Sequence, residues 1–153
     1  MPGRPAELRV LQSEDAATLA DMAALFSAVF GEAGGPVAAL PRRTYLERLL
    51  ARERFIAIAA LVGDGVVGGL VAHELPKLMA ERSEIYIYDL AVAEPHRRRG
   101  IATGLITELT RVARQRGASS IYVQADPDDE AATALYAKLG TRSDVLHFDF
   151  GVT

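Results

Sequence analysis

Apolar and polar positions follow two different periods along the chain, and these periods predict its secondary structure. Short runs rich in β-branched and aromatic residues, bounded by glycine or polar turns, predict six strands. The strands are residues 7–12, 54–62, 66–75, 84–92, 120–126 and 143–150. Stretches with apolar residues at helical spacing predict four helices. The helices are residues 14–30, 42–53, 101–117 and 128–140.

The order of these elements predicts the fold class. A strand, two helices and a hairpin come first, and strands and helices alternate afterwards. This order predicts an α/β (α+β) fold with a mixed central sheet flanked by helices on both faces. Within residues 66–75, Gly68 and Gly69 predict a bulge or a close approach to the backbone. The 153 residues have the length of one domain, so we expect a single domain over residues 1–153.

Composition excludes several classes of function. The net charge is −3 and the chain has no cysteine. A nucleic-acid-binding domain is usually basic, so the net charge argues against one. A chain without cysteine has no disulfides, no thiolate metal ligands and no cysteine nucleophile. The histidines His73, His96 and His147 are widely spaced, so no metal is expected. Because no apolar run reaches the about 20 residues that span a bilayer, we expect a cytoplasmic protein without membrane contact.

The most informative segment is the basic loop between strand 84–92 and helix 101–117, where three arginines precede Gly100. The loop has three interpretations: a nucleic-acid contact, an ordinary solvated loop, or a cradle for a phosphate-bearing ligand. The first N–H groups of a helix have no intrahelical partners and lie at the positive end of its dipole. Gly100 lets the backbone approach a ligand, and arginine adds charge-assisted contacts. The order of strand, basic loop, glycine and helix therefore favours the phosphate site.

The loop also matches the pattern R-x-x-G-x-A at Arg97, Gly100 and Ala102. In that position the pattern resembles the pyrophosphate-binding loop of the GCN5-related N-acetyltransferases (GNAT), which bind acetyl coenzyme A. The segment DDEAATALYAKLG is similar to the family's N-x-x-A-x-x-L-Y-x-K-x-G-F segment. It departs from that segment at Asp129, where the family usually has Asn, and at Thr141, where it usually has Phe.

Three segments together resemble the aminoglycoside 3-N-acetyltransferases of the GNAT type. They are RSEIYIYDLAV (82–92), HRRRGIATGLI (96–106) and IYVQADPDDEAATALYAKLG (121–140). The resemblance implies an enzyme that acetylates the 3-amino group of aminoglycosides with acetyl coenzyme A and confers antibiotic resistance. It also implies that the pyrophosphate lies on the basic loop and the pantetheine arm lies along the preceding strand. The residues implied at the cofactor are Leu90, Ala91, Val92, Arg97, Arg98, Arg99, Gly100, Ile101, Ala102 and Thr103.

Two residues are candidates for catalysis. Asp89 interrupts an apolar strand, and the resemblance implies that it is the base that takes the proton of the amine. Burial would raise its pKa from the usual value of about 3.9 and make it a better base; alternatively, it orients the amine or ends the strand. Tyr136 stands at the family's usual position for the acid that protonates the thiolate, and alternatively it is a packed tyrosine whose hydroxyl reaches water.

The sequence is less specific about the residues that bind the acceptor, the molecule whose amine receives the acetyl group. From residue 126 to 149 the chain has six acidic and two basic residues, which would attract a polycation. We expect acceptor contacts from Glu32, Asp126, Asp149 and His147, although acids at a helix start also complement its dipole. A polyamine, another amino sugar and a protein amine are alternative substrates, and a non-catalytic acyl-CoA-binding module is the alternative class. The resemblance favours a homodimer.

Overall fold

The computed structural model describes residues 4–32 and 39–153, which form a five-stranded sheet with helices on both faces. The strands are β1 (Glu7–Val10), β2 (Phe55–Val62), β3 (Gly65–Pro76), β4 (Ser83–Val92) and β5 (Ser120–Val123). They lie side by side in chain order. Neighbouring strands are antiparallel except β4 and β5, which are parallel. The mixed sheet predicted from the sequence is therefore confirmed.

Four helices and one short 3₁₀ turn complete the described fold. The helices are α1 (Ala16–Glu32), α2 (Arg43–Leu50), α3 (Ile101–Arg116) and α4 (Glu130–Leu139), and the turn is Glu94–His96. Helices α1 and α2 pack on one face of the sheet, and α3 packs on the other. Helix α4 buries none of its residues.

The side chains of β2 divide between two cores because successive residues of a strand point to opposite faces. Ile56 and Ile58 pack towards α3, whereas Ala57 and Ala59 pack towards α1 and α2. Both faces are buried, so the strand has a continuous apolar sequence instead of an alternating one. The α3 core is centred on Leu105 and Leu109, and the other core on Met22; all three are fully buried.

The two glycines of β3 mark a close approach, as expected. A Cβ built on Gly69 would lie 2.7 Å from Cε of Met22, so the helix can pack against the strand only because a side chain is missing there. The pairing of β2 with β3 also shifts register between Ala60 and Leu61, one residue beyond the Ala60–Gly68 pair. Both features that the glycine pair predicts are therefore present.

The strand predicted at residues 143–150 is wrong for this chain. Residues 141–153 are exposed and unpaired, and no backbone hydrogen bond joins them to another residue that the structure describes. The alternating sequence favours an extended backbone, but a strand also requires a neighbouring edge with which to pair. The segment does not lie along β5, the outermost strand on that side of the described sheet.

Candidate active site

The site is centred on the point where β4 and β5 separate. Their pairing ends at Ile87 and Val123, but β4 continues for five more residues along β3. The pairs with β3 in this stretch include Leu70–Leu90, Gly69–Ala91 and Gly68–Val92. The other edge of β4 is thus open from Tyr88 to Val92, and an extended ligand can pair there as a further strand. Leu90, Ala91 and Val92, predicted at the cofactor, all lie in this open stretch.

A bulge shapes β4 at the start of the open edge. Asp89 pairs with Val71 and Ile87 pairs with Ala72, so Tyr88 has no residue opposite it in β3. The extra residue turns the Asp89 side chain to the face that α1 and α2 cover, because Val71 belongs to the core on that face. Bulges commonly redirect a side chain next to a functional site.

The basic loop follows β4 directly. The side-chain Nε of Arg97 donates to the carbonyl oxygen of Val92 at 3.0 Å, which ties the loop to the end of the open edge. Arg98 and Gly100 both have positive φ, 63° and 78°. A positive φ is unusual for arginine and costs of the order of 1–2 kcal/mol. Backbone strain of this kind is concentrated at ligand sites.

The first turn of α3 presents its backbone to the same place. The bond from the N–H of Gly104 to the carbonyl of Gly100 begins the helix at 2.9 Å. The N–H groups of Ile101, Ala102 and Thr103 therefore precede the first helical hydrogen bond and point out of the helix end. A Cβ at Gly100 would meet no atom within 4 Å, so the approach to these N–H groups is open.

A cavity of about 470 Å³ lies beside this helix end, with His96, Arg99 and Gly100 in its wall. The exposed N–H groups and the arginines of the loop place positive partial or full charge just after the end of the open edge, which suits an extended ligand ending in phosphates. By this test the residues present fit acetyl coenzyme A.

Asp89 is half-buried and lines a second cavity of about 160 Å³ on the face of the sheet that α1 and α2 cover. The cavity wall is otherwise apolar and is formed by α1, α2 and the sheet; it includes Phe26, Phe55 and Val71. Burial raises the pKa of the Asp89 carboxyl, and the nearby His73 offsets part of the rise by lowering it. A carboxylate with a raised pKa in an apolar pocket is a typical proton acceptor.

Tyr136 lies on α4 and is partly buried. Burial raises the pKa of its hydroxyl, and the neighbouring Asp129 carboxylate raises it further. Since an ordinary tyrosine already has a pKa of 10.0, the Tyr136 hydroxyl keeps its proton at neutral pH and is a hydrogen-bond donor. Asp129 itself caps the helix, since its Oδ1 accepts from the N–H of Ala132 at 3.1 Å. The family's Asn and this Asp are equally good caps, so the substitution preserves the helix start.

The predicted acceptor residues do not form one cluster in the described structure. Asp126 lies in the turn before α4, where its Oδ1 accepts from the N–H of Asp128 at 2.9 Å. His147 and Asp149 hydrogen-bond to each other at 3.0 Å on the exposed C-terminal segment. Glu32 is the last residue of α1, and its side chain lies outside the described part of the chain.

Sequence reasoning missed the aromatic surroundings of Asp89. His73 lies 5.7 Å from the ring of Phe55 and 5.8 Å from that of Tyr88, centroid to centroid. His73 faces Tyr86 and Phe55 across the neighbouring strands. The register of β3 against β4 brings these residues together, and the bulge at Tyr88 sets that register. A two-residue alternation carries no signal for an extra residue, so the cluster was not predictable.

Within residues 4–32 and 39–153, no three His, Cys, Asp or Glu side chains are grouped so that they could hold a metal ion. The helices of the described chain are all too short or too polar to cross a membrane.

The fold and the site together have the organisation of an N-acetyltransferase. A model of the acetyltransferase (GNAT) family matches residues 19–141, and the chain belongs to that family. A solved aminoglycoside acetyltransferase from an uncultured soil metagenomic sample is 47% identical, with a TM-score of 0.91, and the match covers 98% of this chain and 100% of that one. A second such enzyme, solved in complex with sisomicin, is 29% identical with a TM-score of 0.89 over 97% of each chain.

Curated relatives match over shorter lengths. N-alpha-acetyltransferase 30 of Schizosaccharomyces pombe is 40% identical over 55 residues, which are 36% of this chain and 37% of the relative. A probable N-acetyltransferase family 8 member 5 of Mus musculus is 30% identical over 76 residues, 50% of this chain and 32% of the relative. The chain thus spans about a third of the length of these relatives.

Proposed function

We propose that this protein transfers an acetyl group from acetyl coenzyme A to the 3-amino group of the deoxystreptamine ring of aminoglycosides. The observation that carries the proposal is the 47% identity, over essentially the whole chain, to a solved aminoglycoside acetyltransferase. Antibiotic resistance and a cytoplasmic location are parts of the proposal, as is one catalytic domain over residues 1–153. Acetylation removes an ammonium charge, and charge is what an aminoglycoside uses to bind anionic RNA.

In this proposal the open edge and the loop hold the cofactor. Backbone groups of Leu90, Ala91 and Val92 pair with the extended arm, and the N–H groups at the start of α3 hold the pyrophosphate with help from the arginines. Bound there, acetyl coenzyme A supplies the acetyl group as a thioester. A backbone N–H of the open edge stabilises the carbonyl oxygen when it gains negative charge.

Asp89 accepts the proton of the acceptor amine. Its carboxylate lies in an apolar cavity between α1, α2 and the sheet, and burial raises its pKa towards the range in which a base works at neutral pH. The hydroxyl of Tyr136 is protonated at that pH, since an ordinary tyrosine already has a pKa of 10.0 and burial raises the pKa of Tyr136 further. Its hydroxyl donates that proton to the departing sulfur. The chain has no cysteine, so the amine receives the acetyl group directly instead of from an acetyl-cysteine.

Acidic side chains attract the other ammonium groups of the acceptor. Asp126 is exposed in the turn after β5, near the carboxyl ends of the parallel strands, where open α/β sheets bind ligands. Asp149, His147 and Glu32 are further candidates for this role. Their contribution is electrostatic attraction and orientation, not chemistry.

A second candidate substrate is a peptide α-amine. The match to N-alpha-acetyltransferase 30 favours it, although that match covers about a third of each chain. Both candidates use the same cofactor surface and the same base, so only the acceptor distinguishes them.

Thiol release from acetyl coenzyme A tests the proposal. The acceptors are gentamicin, kanamycin, spermidine and a peptide with a free α-amine. Each acceptor is tested with wild type and with Asp89→Asn, and the turn variant Asp64→Asn is the matched control. We expect release with the aminoglycosides alone, its loss in Asp89→Asn and no change in Asp64→Asn. Release with only spermidine or the peptide would refute the aminoglycoside assignment, and no release with any acceptor would favour an acyl-CoA-binding module.

A further inference from the structure

His73 lies on the same face of the sheet as the Asp89 carboxyl. In β3, Val71 pairs with Asp89, and His73 follows two residues later. Residues two apart in a strand point to the same face, and Val71 belongs to the core that α1 and α2 cover. The imidazole therefore points to the side of the sheet on which the cavity of Asp89 lies.

Two aromatic contacts hold the imidazole in place. Its centroid lies 5.7 Å from that of Phe55, which lines the Asp89 cavity, and 5.8 Å from that of Tyr88, which precedes Asp89 in the bulge. Both pairs have the edge-to-face geometry that aromatic rings favour. The histidine thus connects the wall of the cavity with the extra residue that directs Asp89 towards it.

His73 is a charged neighbour that acts on Asp89. Burial raises the pKa of the Asp89 carboxyl, and the charge of His73 lowers it in part. The next residue, Glu74, points to the opposite face, where its carboxylate accepts from Ser83 at 2.7 Å and from Arg116 at 2.8 Å. Arg54, just before β2, acts on this same Glu74 carboxylate.

The other elements around Asp89 bring apolar or tyrosine side chains. On the side of α1 and α2, the cavity wall is formed by Leu19, Ala23, Phe26, Pro41, Leu46 and Leu49. On the sheet, Tyr86 lies 5.7 Å from Tyr88 and stacks on Tyr122 of β5 at 4.8 Å, centroid to centroid. Burial is the largest of the effects that raise the pKa of Tyr86 above the ordinary 10.0, so this hydroxyl is uncharged at neutral pH.

We propose that His73 is a positioning residue for the acetyl transfer: its ring, held between Phe55 and Tyr88, presents a positive charge that keeps Asp89 ionised and ready for the proton of the amine. The inference rests on the proposed function, in which Asp89 is the base. Histidine is the side chain that ordinarily changes its charge between about pH 5 and 8, so the two residues titrate as a coupled pair. His73 acts through Asp89 and takes no proton from the acceptor itself.

The direction of the effect follows from the two charges. Asp89 accepts a proton only as a carboxylate, and a neighbouring cation favours the carboxylate over the carboxylic acid. Without this cation the carboxyl keeps its proton up to a higher pH, so the acidic limb of the kcat/KM profile moves to higher pH. On that limb, each pH unit of displacement is an about tenfold loss of kcat/KM. The loss shrinks above the limb, where Asp89 is ionised with or without the cation.

The pH profile of thiol release with gentamicin tests the proposal in two variants. His73→Phe keeps a ring against Phe55 and Tyr88 but has no charge, so its acidic limb should lie at higher pH than that of wild type. His73→Arg is positively charged at every pH and should return the limb to the wild-type position or below it. A merely structural role would instead lower kcat/KM by the same factor at every pH. The ammonium groups of gentamicin titrate identically with each enzyme, so the comparison isolates the protein.

Lys77→Gln is the matched control for the loss of a positive charge. Lys77 is exposed just after β3, and its Nζ lies 3.5 Å from Oε1 of Glu84. Its removal should leave the acidic limb at the wild-type position. A limb that moves as far in Lys77→Gln as in His73→Phe would overturn the proposal, because net charge alone would then explain the displacement.

A titration without any acceptor measures the pair directly. The carbon chemical shift of the Asp89 carboxyl, identified by its absence in Asp89→Asn, reports the protonation of this group. We expect its midpoint to rise in His73→Phe and to stay unchanged in Lys77→Gln. An unchanged midpoint in His73→Phe would overturn the proposal, even for an enzyme that acetylates aminoglycosides.

The two measurements separate this proposal from the proposed function. A raised midpoint without a displaced kinetic limb would overturn the role of His73 in the transfer, since Asp89 would then not be the base. Absence of thiol release with every acceptor would refute the proposed function. A raised midpoint in that same protein would still support the action of the His73 charge on Asp89.

Discussion

Replacing Asp89 by Asn should have opposite effects on activity and stability. The amide has the shape of the carboxyl but cannot accept a proton. A positioned general base contributes about 10²–10⁴-fold to a rate. At about 1.36 kcal/mol per tenfold, this is a loss of about 2.7–5.4 kcal/mol of transition-state stabilisation. We expect kcat/KM for the aminoglycoside to fall by that factor, with little change in the affinity for acetyl coenzyme A.

The stability effect follows from the raised pKa of Asp89. Burial makes the folded protein hold the Asp89 proton more tightly than the unfolded chain does, whose reference pKa is 3.8. Stability therefore falls as the pH rises from the unfolded pKa to the folded one, and the penalty persists at neutral pH. Because Asp89 is only half-buried and solvent screens its charge, the penalty is a fraction of the about 1.4 kcal/mol that each pKa unit represents. Each kcal/mol corresponds to about 2–4 °C in Tm for a chain of this size. Asn carries no charge and avoids this penalty.

Thermal melting across pH, together with thiol release, checks both effects. Asp89→Asn should melt above wild type at neutral pH, and the gap should close as the pH falls towards the unfolded pKa of Asp89. Asp64→Asn, in the exposed turn between β2 and β3, should change neither melting nor rate. A variant that keeps full activity would remove Asp89 from the role of base. A variant that melts below wild type at neutral pH would refute the burial argument.

Three further predictions follow from individual contacts. Tyr136→Phe removes the hydroxyl proposed to protonate the leaving sulfur, so kcat should fall by about 10²-fold or more while the KM for the acceptor stays unchanged. Thiol release measures both constants. An unchanged kcat would contradict the proposed role of Tyr136. Gly100→Ala should cost about 1–2 kcal/mol of stability from backbone strain alone, because its Cβ meets no atom within 4 Å. The same variant should raise the KM for acetyl coenzyme A. Urea denaturation measures the loss of stability and steady-state kinetics measures the KM; an unchanged value in either measurement would contradict the corresponding expectation. Gly69→Ala should cost about 1–3 kcal/mol by overpacking, because its Cβ would lie 2.7 Å from the buried Met22; an unfolding midpoint equal to that of wild type would contradict this packing.

The parts of the fold that depend on local sequence were predictable. The apolar strand β4, the basic loop and the helix that begins after Gly100 follow each other within the chain, and local pattern alone identifies them. Their proximity to each other is a consequence of chain continuity. For the same reason the phosphate site proposed at the start of α3 could be predicted from the sequence, whereas the cofactor role proposed for Leu90, Ala91 and Val92 came from the family resemblance.

Features that depend on pairing between distant segments were not predictable. The bulge at Tyr88 comes from the register of β3 against β4, and it determines on which face Asp89 lies. Burial of Asp89 further depends on where α1 and α2 pack, which no residue near Asp89 encodes. The strand predicted at residues 143–150 failed for a related reason: alternation predicts the shape of a strand, but whether an edge receives it depends on a distant surface.

The position of the new acetyl group on the product tests the central claim most directly. Purified protein, acetyl coenzyme A and gentamicin are allowed to react, and the product is analysed by two-dimensional NMR. We expect one acetyl group, bonded to the 3-amino nitrogen of the deoxystreptamine ring. An acetyl group on any other nitrogen, or an unmodified aminoglycoside beside an acetylated peptide, would contradict it.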